Sequence, residues 1–313
     1  MKKLIVTADD FGVFPSVDAG VKEAILKGKV NSVACFSNHK DSVNNVKNLV
    51  SEVGDKADVG CHLTISSGKP LLANNDAFIS GGYFRSFGEL DIDAIEKQLP
   101  LLKQELIAQV EVFKDSQIPV KHLSCHHNTL TNTKGLFKTY LEVAEHFNLP
   151  MRSVNIIPDK KDNTYRMVLR LMLLDNVSFQ KNKEIKTFGK EIRDFMNNYP
   201  AKITTPQLLE SRHYGPLPML DIPEFSVSFL KKKKHKELNE FLKDFIKSEN
   251  KHGELMLHLI KDDKGLKKQD DKIDYPGVNK KYFDSRRIEF ESITDFDFGK
   301  YPDVKFSYWN EID

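Results

Sequence analysis

Acidic and imidazole side chains follow several strand-like segments of the sequence, and these residue types can bind a divalent metal ion. Asp9 and Asp10 end one apolar run, His62 lies in a later one, and His126 and His127 end another. Two imidazoles and one carboxylate, with positions left for water and substrate, suit Zn²⁺ or another divalent first-row ion. Such an ion polarises a carbonyl group and lowers the pKa of bound water. The pattern therefore points to metal-assisted hydrolysis.

Hydrolysis of an amide also needs a general base and an acid that protonates the departing amine. A second carboxylate beside the metal can be the base, and a separate histidine, such as His258 near the end of a late apolar segment, can be the acid. Successive side chains of a strand point opposite ways, so one of two adjacent aspartates can bind metal while its neighbour faces the water. The same residues have simpler interpretations. Paired aspartates often cap a helix, and a histidine in a strand is often a core residue.

Strand and helix patterns alternate along the chain, which predicts βαβ units and a parallel sheet. The predicted strands are Lys3–Ala8, Ser32–Phe36, Asp58–Ile65, Val120–Cys125, Arg152–Ile157 and Glu254–Ile260. The polar residues described above lie on four of them, near their C-terminal ends, where α/β barrels build their active sites. This convergence is the strongest argument from residue pattern alone for an enzyme.

Length and composition fit one soluble domain over residues 1–313, with an irregular, proline-containing elaboration at about 160–225. Of the 313 residues, 40% are hydrophobic and 29% charged, and the net charge of +2 gives no reason to expect nucleic acid or an anionic membrane as a partner. No signal-peptide core or membrane span is visible. Three cysteines without CxxC spacing favour reduced, buried thiols and a cytoplasmic location.

Several motifs resemble those of the YdjC-like carbohydrate deacetylases, relatives of chitooligosaccharide deacetylase. They span nearly the whole chain in the order that the family has. The matching stretches are Val6–Gly12, Gly28–Ser32, Gly60–Thr64 with Gly68–Pro70, His122–His127, Asn148–Arg152, Glu254–His258 and Ser285–Phe290.

This resemblance implies a distorted (β/α) TIM-like barrel and a divalent metal ion, Mg²⁺ or Zn²⁺. By position, the metal ligands would be Asp10, His62 and His126. The resemblance also implies that Asp9 is the general base and His258 the acid. Arg152 stands where the family has an arginine near the substrate, which implies charge stabilisation or substrate orientation. The resemblance is compatible with a homodimer.

The expected reaction is removal of acetyl groups from N-acetylated amino sugars or small oligosaccharides, with release of acetate. This chain departs from the family's usual pattern at Ser124, where the family has Asp, at Asn128, where it has His, and at Leu259-Ile260, where it has Pro-Gly. Two alternatives therefore stay open. One is a metal-dependent hydrolase of another amide or ester, and the other is a non-catalytic, metal-containing sugar-binding protein.

Overall fold

A computed structural model describes residues 1–72, 75–131, 133–152, 227–249, 251–261 and 280–312. These residues contain eight strands. Six of them form one sheet, namely β1 (Lys2–Phe11), β2 (Ser32–Cys35), β3 (Asp58–Leu63), β6 (Val120–Cys125), β7 (His252–Leu257) and β8 (Val304–Phe306). The other two, β4 (Ile79–Ser80) and β5 (Tyr83–Phe84), form a short antiparallel hairpin.

The six-stranded sheet is parallel throughout. Its order is β6-β3-β2-β1-β7, and β8 pairs with the first residues of β1. The predicted parallel α/β fold is confirmed. Among the described strands, β6 and β7 are the two ends of this order and do not pair with each other, so the sheet is open. A single parallel bridge between Leu123 and Met151 extends the sheet beyond β6.

Helices cover the sheet because their apolar residues recur at helical spacing. They are α1 (Pro15–Leu26), α2 (Ser42–Val53), α3 (Ile92–Glu96), α4 (Leu99–Asp115), α5 (Lys134–Phe147), α6 (Val227–Lys247) and α7 (Lys280–Asp295). Pro15 and the helical spacing of four apolar residues predict a helix here, and α1 begins at Pro15 and buries that face, namely Val17, Val21, Ala24 and Ile25. No helix among the described residues is long and apolar enough to cross a membrane.

The basic run Lys231–Lys236 has the composition of a solvated helix start. It instead lies inside α6, and Lys234 is buried against Glu289 with an Nζ–Oε1 distance of 3.5 Å. A lysine buried in this way needs its carboxylate partner. The expected elaboration at about 160–225, and the predicted strand Arg152–Ile157 after its first residue, lie outside the described residues.

Candidate metal centre

A bulge near the C-terminal end of β1 brings two consecutive aspartates to one site. Ala8 pairs with Val33 and Phe11 with Cys35, so β1 has one more residue than β2 across this interval. Asp10 takes up the extra residue with a φ of 70°, a left-handed conformation that non-glycine residues seldom adopt. Such bulges re-aim side chains. Here both carboxylates approach the same imidazole nitrogen, the Nε2 atom of His62, at 3.9 Å from Asp9 and 3.4 Å from Asp10.

Two histidines complete the group around Asp10. The Oδ1 atom of Asp10 lies 3.4 Å from His62 Nε2 and 3.1 Å from His126 Nδ1. His62 is in β3, and His126 follows the last residue of β6 directly, so the three side chains come from the C-terminal edge of the sheet. All three are buried, and one ligand atom from each lies within 4.8 Å of the others. They form a possible metal-binding group, at the place where the sequence predicts one.

The two imidazoles are held in orientation by residues around them. Ser124 stands opposite His62 in the β3–β6 register, and its hydroxyl lies 2.7 Å from His62 Nδ1. This contact leaves Nε2 as the nitrogen that faces the aspartates. The fully buried ring of Phe36 packs edge-on against both imidazoles, with centroid distances of 5.0 Å to His62 and 4.9 Å to His126.

The spacing and chemistry of the group fit a divalent ion. Ligand atoms bound to one tetrahedral zinc ion lie roughly 3.4 Å apart, close to the separations between Asp10 and its two histidines. The buried Oδ1 atom of Asp10 has no well-aligned hydrogen bond among the described residues. A cation between these atoms would satisfy it. Two imidazoles with one carboxylate are a donor set that suits zinc and other first-row ions.

Asp9 also contacts a buried arginine, Arg152. The Arg152 guanidinium binds the Asp9 carboxylate through two parallel hydrogen bonds, of 2.6 Å from Nη1 to Oδ2 and 2.8 Å from Nη2 to Oδ1. The adjacent edge of the guanidinium, formed by Nε and Nη2, donates to Glu254, with distances of 2.7–3.1 Å. Although burial lowers the pKa of Arg152, the two carboxylates raise it well above its ordinary value, so the guanidinium stays charged.

His258 approaches the second carboxylate oxygen of Asp10. Its Nε2 atom is 3.8 Å from Asp10 Oδ2, and 13% of its side chain is exposed. The strand β7 ends at Leu257, so His258 is the first residue beyond it and not a strand residue as expected. Burial alone raises the pKa of Asp10, but the imidazoles of His126, His62 and His258 outweigh it and hold that pKa well below its ordinary value. Asp10 is therefore an anion at neutral pH.

The remaining candidates are placed outside the ligand group. Burial raises the pKa of Cys61 to about 12 and that of Cys125 to about 11, which makes both thiols poor metal ligands at neutral pH. His127 is exposed, and its ring lies against that of His126 at a centroid distance of 3.7 Å. His122 is fully buried and stacks on Trp309, away from the centre.

Residue pattern alone gave no role to Phe36, Ser124 or Glu254. A signal existed for two of them. Ser124 is two residues before His126, and Glu254 is four residues before His258. Residues at these spacings in a strand point to the same face, so each is expected on the face of a predicted site residue. Phe36 follows an apolar strand and has no comparable signal.

The sequence matches the YdjC-like protein family over residues 3–302. The chain belongs to this family. Similar curated proteins are named carbohydrate deacetylase. The one from Thermoanaerobacter pseudethanolicus is 28% identical over 170 residues, which cover 51% of this chain and 64% of the relative. The one from Vibrio campbellii is 29% identical over 163 residues, covering 52% and 63%. The matched region thus spans less than two thirds of these relatives' length.

A solved structure supports the fold of the family across the whole chain. It is a crystal structure of a candidate cellobiose-phosphate cleavage protein from Enterococcus faecalis. The TM-score is 0.68 with 20% sequence identity, and the match covers 99% of this chain and 98% of the other. At this identity the likeness concerns the fold alone.

Proposed function

We propose that this protein is a metal-dependent carbohydrate deacetylase. It removes acetyl groups from N-acetylated amino sugars or small oligosaccharides and releases acetate. The observation that carries the proposal is the convergence of Asp10, His62 and His126 on one buried point, with the second carboxylate of Asp9 beside it. Membership of the YdjC-like family and the names of its curated relatives support the choice of an acetylated sugar.

Asp10, His62 and His126 would hold the ion, and zinc or another first-row dication suits them better than Mg²⁺, which prefers oxygen ligands. When bound, the ion polarises the acetyl carbonyl and makes a bound water more acidic. The buried charges agree with this assignment. Among the described residues of this group, the carboxylates of Asp9, Asp10 and Glu254 outnumber the guanidinium of Arg152 by two when the histidines are neutral. A dication balances this excess negative charge.

Asp9 is the general base in this proposal. Its Oδ2 atom faces the centre, 3.9 Å from His62 Nε2. An ionised carboxylate has about four lone-pair positions, of which Arg152 occupies two, so others remain for the proton of the attacking water. Because the Arg152 contacts fix the plane of the carboxylate, the base is oriented before the substrate arrives.

His258 is the acid that protonates the departing sugar amine. Its Nε2 atom approaches Asp10 Oδ2, and its side chain is more exposed than that of Asp9, with 13% accessible against 2%. Exposure suits contact with the leaving group. Separate groups for taking up and delivering the proton are needed because the two transfers occur at different atoms of the substrate.

Acetate release tests the proposal directly. The metal-free protein is prepared with a chelator, and Zn²⁺, Co²⁺, Mn²⁺ or Mg²⁺ is returned one at a time. Acetate is then measured from N-acetylglucosamine, its short oligomers, a phosphorylated form, and simple acetyl esters and amides. We expect release from an acetylated amino sugar that needs the metal. Hydrolysis of the simple esters or amides alone would favour a different hydrolase, and sugar binding without acetate under every metal would favour a non-catalytic protein.

A further inference from the structure

A buried ion-pair network lies behind Asp9, and its far end is Glu254. Asp9 and Arg152 are each 2% exposed and Glu254 is 0% exposed. We propose that Glu254 is a positioning residue, which locks the guanidinium of Arg152 so that Arg152 in turn fixes the Asp9 carboxylate. This inference rests on the proposed function, because it gives Asp9 the role of base.

The hydrogen bonds of Arg152 account for all of its donors. A guanidinium has five N–H groups in a rigid plane. Nε donates to Glu254, Nη2 donates to Glu254 and Asp9, and Nη1 donates to Asp9 and to the sulfur of Met256 at 3.0 Å. No N–H is left for a substrate. Arg152 therefore acts through Asp9 and does not contact the reacting sugar.

Glu254 determines which way the guanidinium faces. The plane is gripped along one edge by Asp9 and along the adjacent edge by Glu254, and paired hydrogen bonds of this kind are both strong and directional. With one carboxylate alone, the plane can rotate about the bonds of the flexible arginine side chain. Glu254 removes that freedom, since two edges held at different angles fix the plane.

The backbone anchors of the network are equally constrained. Glu254 is in β7, directly beside Ile5 of β1, the strand that contains Asp9. The backbone N–H of Arg152 donates to the Leu123 carbonyl at 2.7 Å, and the Tyr140 hydroxyl lies 3.3 Å from the Arg152 carbonyl. Strand β1, strand β7 and the segment beside β6 that carries Arg152 thus meet at one guanidinium. Its position is set by the fold, and its orientation by Glu254.

The test compares Glu254→Gln with Glu289→Gln. Glutamine at position 254 keeps the shape but loses the charge and one acceptor oxygen. Glu289 is a matched control, because it is also a buried glutamate, 4% exposed, and is paired with Lys234 on α6. Both variants are assayed for acetate release at saturating metal, with metal occupancy measured. We expect Glu254→Gln to lower kcat about 10–100-fold, the usual effect of an orienting residue, with little change in KM. Glu289→Gln should keep the wild-type kcat, although it lowers stability by removing the anionic partner of Lys234.

A second readout needs no substrate. In protein labelled with ¹⁵N-arginine, a guanidinium gripped on two edges gives separate, slowly exchanging Nη–H signals, and Arg152→Lys identifies them by their loss. We expect these signals to average or broaden in Glu254→Gln and to persist in Glu289→Gln. Unchanged signals in Glu254→Gln would overturn the positioning role whatever the activity. Averaged signals with an unchanged kcat would overturn it too. A wild type that releases no acetate rejects the proposed function instead, and the signals still decide whether Glu254 holds Arg152.

Discussion

Asp9 and Asp10 are chemically identical neighbours whose surroundings differ. Asp9 is gripped by the Arg152 guanidinium, whereas Asp10 lies among the imidazoles of His62, His126 and His258. Two carboxylates in different environments can take different roles in one reaction. The carboxylate among imidazoles is suited to share a metal ion with them. The carboxylate held by the arginine is suited to accept a proton.

The two aspartates should therefore respond differently to the same substitution. We expect Asp9→Asn to keep its metal and to lower turnover by ~10²–10⁴-fold, the contribution of a general base. Asp10→Asn replaces an anionic ligand with a neutral one and should lose the metal. Metal content after dialysis and acetate release by each variant check this. Near-normal turnover of Asp9→Asn would remove Asp9 from the mechanism.

Ser124 should matter for metal affinity, because its hydroxyl is 2.7 Å from His62 Nδ1 and fixes which imidazole nitrogen faces Asp10. Partners of this kind typically change metal affinity by about 10–100-fold. We expect Ser124→Ala to weaken metal binding by that factor, measured by competition with a chromogenic chelator. Ser292→Ala is the control, since Ser292 is equally buried and donates to Ile288 within α7. Equal affinities in the two variants would argue against an orienting role for Ser124.

Among the secondary-structure elements, β1 has a bulge that the residue pattern of its own segment does not predict. The apolar runs predict the strands and their parallel pairing, and so they place Asp9, His62 and His126 near one edge of the sheet. Strand alternation also predicts that Asp9 and Asp10 diverge. The bulge at Asp10 redirects one of them, so that both approach His62. A bulge depends on the register with the next strand, which is a property of two distant segments.

The same reason explains which site residues were missed. Ser124 orients His62 because β3 and β6 pair in one particular register, and Glu254 reaches Arg152 because β7 lies beside β1. Neither relation is visible along a single segment. Residue types and their order identified the ligands. Alternation along a strand places Ser124 and Glu254 on the face of a site residue, but their contacts with His62 and Arg152 become visible only when the strands are side by side.

Helix α1 supports the segment that carries His258. Gly20 of α1 packs so closely against the backbone after His258 that a Cβ atom there would lie 2.8 Å from the Lys261 nitrogen and 3.2 Å from the Leu259 oxygen. Backbone atoms cannot swing aside as a side chain can. The segment would have to move, and His258 with it.

We therefore expect Gly20→Ala to lower the free energy of unfolding by about 1–3 kcal/mol, the usual cost of overpacking, and to lower kcat while the metal stays bound. Urea unfolding, metal content and acetate release measure the three effects. Gly88→Ala is the control, because a Cβ at Gly88 would meet no heavy atom within 4 Å. If the two variants were equally stable and active, the contact between α1 and the His258 segment would have no consequence.

At the scale of the described molecule, the two ends of the parallel strands differ in the residues that they carry. The C-terminal edge carries the ionisable groups of the candidate centre. The N-terminal ends of the strands are covered by Trp309, which is 1% exposed. Its indole N–H donates to the Ser32 hydroxyl at 2.9 Å, and its backbone N–H donates to the Asp58 carboxylate at 2.7 Å. Ser32 and Asp58 are the first residues of β2 and β3. The segment around Trp309 thus covers the N-terminal ends of β2 and β3, opposite the candidate metal centre.

His122 lies against the segment around Trp309 and makes stability depend on pH. Its ring stacks on Trp309 at a centroid distance of 4.3 Å, and its two nitrogens have no hydrogen-bond partner among the described residues. Burial, together with the positive charge of Arg152, lowers the pKa of His122 well below its ordinary value of 6.5. Between the folded pKa and about 6.5, the unfolded chain binds a proton at His122 that the folded chain does not. The contribution of the neutral His122 ring to the free energy of unfolding is therefore fully present above about pH 6.5 and decreases as the pH falls below that value.

Replacing His122 with phenylalanine keeps a ring to stack on Trp309 and removes the titration. Between pH 7.5 and 5.5 the wild type should lose about 1 kcal/mol more of its free energy of unfolding than His122→Phe. Urea unfolding with a chelator present measures this, because metal release would otherwise add its own pH dependence. His39, whose pKa burial lowers to about 4, contributes a slope of the same sign in both proteins, so only the difference between them reports on His122. Parallel slopes would mean that the His122 ring takes up its proton in the folded state as readily as in the unfolded chain.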